Sequence, residues 1–262
     1  MLSLINSAKS ISELLSVIEG FAASKAAQRV SLGTDPTLIL MAFDSMLQLA
    51  RKYDYENFAL SELGLHKNII QFAQIPELLE IWETTFQKQH IIFNKTLQDY
   101  WPDLDILCEG HRNIVDNICE GKIEEARISV EIYFAGIQHR ITNCDRGANL
   151  NGAPLDKAVS YIALNLNDTI RLQYVARNIA KVSPCHLVRL FKNAYGMSFI
   201  EYIQHLRMTR AAQLIKNNNW PINRIAKAVG YQDPSRFSQH FRRKFKMLPS
   251  KYSDSNKMMI TK

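Results

Sequence analysis

The stretch IAKAVGYQDPSRFSQHFRRKF, residues 225–245, decides the fold of the carboxy-terminal half of this 262-residue chain. It begins with the pattern of a short helix, after which Gly230 permits the left-handed backbone that a tight turn requires. The Asp-Pro pair at 233–234 then starts a second helix, in which Phe237 and Phe241 share one face and polar residues occupy the other. Two short helices joined by such a turn predict a helix-turn-helix.

The same pattern occurs once earlier in the chain. The stretch VARNIAKVSPCHLVRLFKNAYGMSF, residues 175–199, likewise begins with a β-branched residue followed by alanine, has a turn that contains proline, and continues into an amphipathic second helix. Ala176 precedes Phe191 by the same interval that separates Ala226 from Phe241. We interpret the two stretches as two copies of one supersecondary unit.

Charge is divided unevenly between the two halves of the chain. Residues 1–150 contain 13 Lys and Arg against 20 Asp and Glu, a net charge of −7. Residues 151–262 contain 19 Lys and Arg against 5 Asp and Glu, a net charge of +14. A basic surface gains affinity for nucleic acid by releasing counterions, so only the second half is predicted to bind a polyanion.

Several classes of protein are disfavoured by what the sequence contains. The four cysteines form no CxxC pair, which argues against a zinc module or a disulfide framework. Apolar runs are too short to cross a bilayer, and the amino terminus does not resemble a secretory signal, so we expect a cytoplasmic protein without membrane contact. No nucleophile motif or Gly-rich phosphate loop is found, which predicts that the chain is not an enzyme.

The first half has helical periodicity throughout and no strand-like alternation. Six helices are predicted, over 5–29, 36–53, 56–72, 77–97, 104–120 and 123–141. The polar, Gly-bearing segment 144–153 lies where the charge changes sign and is the predicted linker. We therefore expect an all-α protein with a regulatory domain of about six antiparallel helices over 1–143 and a DNA-binding domain over 154–262.

From Pro154 to about Ser253 the chain resembles the DNA-binding domain of AraC/XylS-family transcription regulators. The resemblance rests on residues 225–245, on LVRLFKNAYGMSFIEYIQHLRMTRAAQLI and on LPSKY. It implies seven helices that hold two helix-turn-helix units against successive major grooves of promoter DNA. It places base contacts on Cys185, Val188, Arg189, Ser235, Arg236 and Gln239. Phosphate contacts are expected from Lys192, Arg242, Arg243 and Lys244.

The chain departs from the AraC/XylS pattern in three places. The turn of the first helix-turn-helix unit is one residue longer than is usual, around Ala180 and Lys181, which puts the docking angle of that unit in question. Lys246 stands where the family usually has glycine after the second unit, and Ser253 stands where an arginine often follows the tyrosine. None of these departures changes the predicted fold.

Residues 14–140 resemble the effector-binding domain of the FadR branch of GntR regulators, an antiparallel helical bundle. The matching segments are IEGFAASKAA, YENFALSELGLHKNII and EGHRNIVDNICEGKIEEARISV. The resemblance implies a divalent metal site, for zinc, nickel or manganese, at Glu62, His66, His111 and Tyr133. A phenol is a poor ligand, so a surface Glu62–His66 pair beside a packed His111 is an equal alternative. Leu15 replaces an arginine that often binds carboxylate effectors, so an organic-acid ligand is not assumed.

These observations predict a homodimeric, sequence-specific transcription regulator whose DNA binding responds to a metal or small-molecule effector. One alternative is a ligand-independent regulator whose helical domain only dimerises or binds a partner protein. A metalloenzyme fused to a DNA-binding module is a more distant alternative, against which Tyr133 and the lack of acid/base partners argue.

Overall fold

The computed structural model describes residues 2–145, 153–217 and 220–252, which contain helices and no strand. The predicted all-α fold is confirmed. The six helices of the first half are α1 Leu2–Ser31, α2 Thr37–Arg51, α3 Tyr55–Phe72, α4 Pro76–Tyr100, α5 Leu104–Cys119 and α6 Ile123–Asp145. Their order agrees with the sequence prediction, and α1, α4 and α6 extend beyond the predicted ends.

Helix α1 is the central element of the bundle. It packs chiefly against α6, and also against α3, α4 and α5. Ala22, Ala23, Ala26 and Ala27 are completely buried, so small side chains allow the surrounding helices to approach closely. The core around α1 is completed by aromatic side chains such as Phe58 and Trp82.

Short connections keep consecutive helices together. Gly33 and Gly121 have φ angles of +95° and +67° in the turns after α1 and α5, a conformation that glycine adopts without strain. Helix α3 begins at Asp54, whose side chain accepts a hydrogen bond from the backbone N–H of Asn57.

Past Pro154 the elements are α7 Pro154–Leu164, α8 Leu172–Tyr174, which continues as a π-helix over Val175–Ile179, α9 Pro184–Tyr195, α10 Phe199–Asn217, α11 Ile222–Ala228 and α12 Pro234–Phe245. Residues 249–252 form one more helical segment. With the α8 and π segments taken as one helix, the described part of this region has the seven helices that were expected.

The chain divides by packing into two compact units, Met1–Asn165 and Leu166–Lys262. Helix α7 packs against α5 and α6 and therefore belongs to the first unit, although the sequence assigned it to the DNA-binding domain. The difference arises because a helix of period 3.6 does not indicate which domain buries its apolar face. Of the predicted linker 144–153, residues 146–152 lie outside the described part of the chain.

Candidate metal centre and nucleic-acid interface

Helices α9 and α12 are the second helices of the two predicted units, and both begin with the same local chemistry. Each has proline at its first position, where no backbone N–H is needed. Ser183 Oγ accepts from the His186 N–H at 3.2 Å, and Asp233 Oδ1 accepts from the Ser235 N–H at 2.8 Å. These caps satisfy donors that the helix leaves unpaired and fix where each helix starts.

The inward faces of α9 and α12 are fully buried. Leu187 and Phe191 of α9, and Phe237 and Phe241 of α12, have no solvent exposure. Leu190, also on α9, is half-buried. Because four large apolar side chains fix the rotation of the two helices, the opposite faces are presented to solvent in a defined way.

All of the predicted base-contacting residues lie on those exposed faces. They are Cys185, Val188 and Arg189 on α9, and Ser235, Arg236 and Gln239 on α12. Arginine and glutamine can each form two hydrogen bonds with the edge of one base. The two helices therefore present side chains that can read a sequence in the major groove.

The first helix-turn-helix reaches its turn with a different backbone conformation from the second helix-turn-helix. Ala180 N–H donates to the Val175 carbonyl at 2.8 Å, which is the hydrogen-bond spacing of a π-helix. Lys181 then adopts a positive φ of 54°, whereas in the second unit Gly230 has a φ of +81°. The π-helix lies at the turn that the sequence indicated to be longer than usual.

The predicted phosphate-contacting cations are not equivalent. Lys192, Arg242 and Arg243 are exposed. Lys244 is half-buried, and its ammonium donates to the His205 carbonyl at 2.7 Å and to the Thr209 hydroxyl. Burial lowers the pKa of Lys244 to about 8. These two bonds tie α12 to α10 and compete with the phosphate role expected for Lys244.

A second group of polar residues lies inside the helical bundle. Glu62 and His66 lie one turn apart on α3, His111 is on α5, and all three are almost completely buried. His66 Nε2 lies 3.1 Å from His111 Nε2 and 3.2 Å from Glu62 Oε1, and His111 Nε2 lies 3.8 Å from that oxygen. Tyr133 on α6 donates its hydroxyl to Glu62 Oε1 at 3.4 Å. The structure thus brings together all of the residues predicted for the metal site and places Glu62–His66 inside the bundle, not on its surface.

The other ring nitrogens of both histidines are occupied by acceptors. His111 Nδ1 donates to the Leu107 carbonyl at 2.8 Å, and His66 Nδ1 donates to Glu19 Oε2 at 2.5 Å. The Nε2 atom of each imidazole consequently points into the cluster. This arrangement, in which an outer acceptor fixes the orientation of a ligand histidine, is typical of metal sites.

The two histidines have opposite protonation preferences. Burial acts to lower the pKa of His66, but the carboxylates of Glu19 and Glu62 outweigh it and raise that pKa to about 10. Burial and the nearby His66 charge lower the pKa of His111 to about 4. Although burial opposes it, His66 lowers the pKa of Glu62. Without a metal, a protonated His66 therefore joins a neutral His111 and a charged Glu62.

Comparisons with known proteins divide the chain in the same way. Residues 177–255 match the helix-turn-helix domain family, and residues 10–135 match the FCD domain family. Multiple antibiotic resistance protein MarA of Escherichia coli (strain K12) is 30% identical over 108 residues, which are 41% of this chain and 84% of MarA. This chain belongs to the AraC/XylS family of transcription regulators.

Two further relatives are similar to part of this chain. Regulatory protein PocR of Salmonella typhimurium is 30% identical over 115 residues, which are 44% of this chain and 38% of PocR. The chain thus spans well under two thirds of PocR. A crystal structure of an AraC-type transcriptional regulator from Chromobacterium violaceum has 29% identity, covers 39% of this chain and 91% of its own, and has a TM-score of 0.38.

Two residues at the buried cluster, Glu19 and Trp82, were not predicted from the sequence. Glu19 on α1 bridges the cluster to α4, because its second oxygen accepts from Trp82 Nε1 at 2.8 Å. Glu19 lies between Leu15 and Ala22 on the buried face of α1. A carboxylate inside an apolar stripe is almost always paired, so this interruption of the hydrophobic pattern was an available indication of a buried partner.

The donor set of the buried cluster fits a divalent metal. Ligand atoms of Glu62, His66 and His111 all lie within 4.8 Å of one another. Glu62 Oε2 is buried and has no hydrogen-bond partner, so the carboxylate has an oxygen to spare. Two imidazoles and a carboxylate are a sound ligand set for zinc, nickel or manganese.

No helix in the described residues is both long enough and apolar enough to span a membrane.

Proposed function

We propose that this AraC/XylS-family member regulates transcription by binding a specific promoter sequence through α9 and α12. The observation that carries the proposal is that all six predicted base-contacting residues are exposed on two capped helices, whose inward aromatic and leucine side chains are fully buried. Recognition of base edges requires that the side chains point outward in a fixed orientation, and the buried inward faces of the two helices fix that orientation. Lys192, Arg242 and Arg243 add sequence-independent affinity.

We further propose that a divalent metal bound to the FCD domain modulates this DNA binding. His66 and His111 would offer Nε2, and Glu62 a carboxylate oxygen, so the ligands would link α3 to α5. When bound, the metal would supply a positive charge to a cluster in which His66 otherwise carries the proton. Because His66 must release that proton, metal affinity increases with pH in the neutral range.

The space beside the cluster supports a metal in preference to an organic effector. Two small cavities adjoin it, one of about 10 Å³ beside Glu19 and His111 and one of about 20 Å³ beside Tyr133 and Phe86. Such volumes suit a single water-sized occupant, whereas pockets for organic ligands measure about 300 Å³ or more.

A homodimer is also part of the proposal, since two copies on adjacent half-sites increase binding through avidity. On α1, Leu14, Val17 and Phe21 follow one another at helical spacing and are 49%, 69% and 44% exposed. An exposed apolar stripe of this kind is typical of a protein contact. The mass of the full chain and of Val17→Asp in sedimentation tests the dimer. The wild type should be dimeric and the variant should dissociate, and a monomeric wild type would contradict the proposed dimer.

Selection of bound duplexes from a random DNA pool with the full chain tests the DNA-binding proposal. We expect one enriched motif, with a preference over scrambled duplex that persists as salt is increased. Recovery of no motif would overturn the proposed sequence specificity.

Thermal unfolding of the full chain with zinc, nickel, manganese or EDTA tests the metal proposal. A metal that binds only the native state must raise the unfolding midpoint, by an amount that grows with its concentration. His111→Gln should abolish the increase, and His186→Gln, which alters an exposed histidine of α9, should retain it. If no metal raises the wild-type midpoint, the ligand-independent alternative is preferred, in which the bundle only dimerises or binds a partner protein.

A further inference from the structure

Helix α7 is held in the first unit by polar contacts as well as by its apolar face. Residues 158–164 are all buried. Lys157 Nζ lies 2.5 Å from Asp103 Oδ2, just before α5, and Arg140 of α6 donates to the Ser160 hydroxyl. The sequence resemblance placed this helix in the DNA-binding domain. In the structure it is part of the helical bundle that contains the buried cluster.

The carboxy-terminal end of α7 lies against the two helices that carry His111 and Tyr133. A Cβ atom added to Gly110, the neighbour of His111, would lie 3.1 Å from Tyr133 Cδ2 and 3.3 Å from Leu164 Cδ1. A Cβ atom added to Gly136 would lie 2.7 Å from Leu164 Cδ2. Leu164 thus packs closely between α5 and α6 as a wedge, and a methyl group added at Gly136 would displace it. Any change in the spacing of these helices must move Leu164.

The next residue is also fixed to α5. Asn165 is buried, its side-chain carbonyl accepts from Asn113 Nδ2 at 2.7 Å, and its amide donates to the Tyr161 carbonyl at 2.8 Å. Asn113 lies two residues beyond His111 on α5. The last residue of the first unit is therefore attached to the helix that carries a proposed metal ligand.

The first residues of the second unit are held just as firmly within that unit. Arg207 of α10 donates to the Leu166 carbonyl at 3.0 Å through Nε, and to the Asp168 carbonyl at 2.6 Å through Nη2. A Cβ atom added to Gly230, in the turn before α12, would lie 2.7 Å from the Leu166 carbonyl oxygen. The Leu166 carbonyl is therefore bonded to α10 and lies close to the turn before α12, the helix that carries Arg236.

One peptide bond joins these two fixed residues. Asn165 is held by the bundle and Leu166 by the DNA-binding unit, and consecutive Cα atoms are separated by about 3.8 Å. The two residues can rotate about the backbone bonds on either side of this peptide bond, but their separation is fixed, so a displacement of Asn165 moves Leu166.

We propose that α7, acting through the positioning residues Leu164 and Asn165, couples the buried cluster of Glu62, His66 and His111 to the DNA-binding unit. The proposal rests on the proposed function, a DNA affinity that a metal modulates. It assigns the coupling to the 165–166 junction and not to the predicted linker 144–153. Coupling requires the ligand to favour one of two states, and the wedge at Leu164 is the element that would differ between them.

Two matched insertions test the assignment in the full chain. Gly-Ser-Gly-Ser is placed between Asn165 and Leu166 in one variant, and between Gly147 and Ala148 in the other. The measurements are DNA affinity with and without the zinc, nickel or manganese ion that raises the wild-type midpoint, and the midpoint itself. In coupled systems the ratio of the two affinities is typically about 5- to 150-fold.

We expect the insertion after Asn165 to retain the metal-dependent midpoint but to bring the affinity ratio to within about twofold of one. The insertion after Gly147 should retain the wild-type ratio. If instead the insertion after Gly147 removes the ratio and the one after Asn165 does not, coupling through α7 is overturned. A wild-type ratio of one contradicts the proposed function itself, so the two failures are distinguishable.

Leu164→Ala provides a second measurement if the insertion after Asn165 prevents folding. It removes the wedge but keeps α7, Asn165 and the Arg207 contacts. We expect the affinity ratio to decrease several-fold while metal affinity stays within about twofold of wild type. A folded Leu164→Ala chain with an unchanged affinity ratio would also overturn the proposal.

Discussion

The buried cluster of α3 and the exposed face of α12 use charge in opposite environments. In the bundle, Glu62 and His66 are almost completely desolvated and are paired with partners from several helices. On α12, Arg236 and Arg242 are exposed. A buried charge must be matched within the protein, whereas an exposed cation is available for a polyanion. One environment suits an ion and the other suits DNA.

An increase in salt concentration should produce the largest difference between the two regions, because it should weaken DNA binding but not metal binding. If Lys192, Arg242 and Arg243 each neutralise one phosphate, the slope of log affinity against log salt is about −2.7, so DNA affinity should decrease at least about 500-fold between 50 and 500 mM salt. The metal-dependent midpoint should change little, because buried groups are screened much less. Titrations of labelled duplex and thermal unfolding at both concentrations measure the two effects. A salt-independent DNA affinity would contradict the comparison.

The bundle cluster depends on an outer carboxylate, which Glu19→Gln removes without changing size. Loss of an outer-shell partner of a ligand histidine should reduce metal affinity by about 10- to 100-fold. The pKa of His66 should also fall below its value of about 10, because Glu19 is its strongest counter-charge. Metal titration and NMR of the histidine ring measure both effects.

Glu13→Gln, at an exposed position on the same helix, is the matched control for Glu19→Gln and should leave both quantities unchanged. Equal behaviour of the two variants would show that Glu19 only fills space.

Within α12, base and phosphate contacts should respond differently to substitution. Arg236→Ala should reduce discrimination between the selected and mismatched duplexes by about 1–3 kcal/mol. Arg242→Ala should weaken binding of both duplexes alike and reduce the salt slope by about 0.9. Binding curves with matched and single-mismatch duplexes at several salt concentrations separate the two roles. Identical effects of the two substitutions would contradict the division.

The smallest expected effect concerns how the two recognition helices end. The residue that caps the end of α9 is Gly196, with a φ of 67°, and the residue that caps the end of α12 is Lys246, with a φ of 60°. A side chain at such an angle costs about 1 kcal/mol. Lys246→Gly should therefore stabilise the chain by about that amount, and Gly196→Ala should destabilise it similarly. Denaturant unfolding measures both changes, and a destabilising Lys246→Gly would show that its side chain has a compensating contact.

Much of the architecture was predictable because it depends on local pattern. The helix start at Asp233-Pro234 and the apolar spacing of Phe237 and Phe241 are sequence features, and the structure has them where they were expected. The exposed positions of Arg236 and Gln239 follow from the same periodicity. The likeness to the AraC/XylS family then indicated which of the exposed residues to consider.

Other features depend on contacts between distant parts of the chain. Lys244 resembles its neighbours Arg242 and Arg243 in sequence, yet it bonds to α10. Glu19 joins His66 across 47 positions of sequence. The hydrophobic periodicity of a single helix does not indicate such a pairing, because the pairing depends on how helices pack against one another.

The sequence by itself determined the helices, the two helix-turn-helix units and the uneven division of charge, because periodicity, capping and net charge are properties of short segments or of simple sums. Only the tertiary structure decided that Glu19 completes the buried cluster and that α7 belongs to the bundle. Those outcomes depend on which apolar faces meet, and close packing settles that across the whole domain.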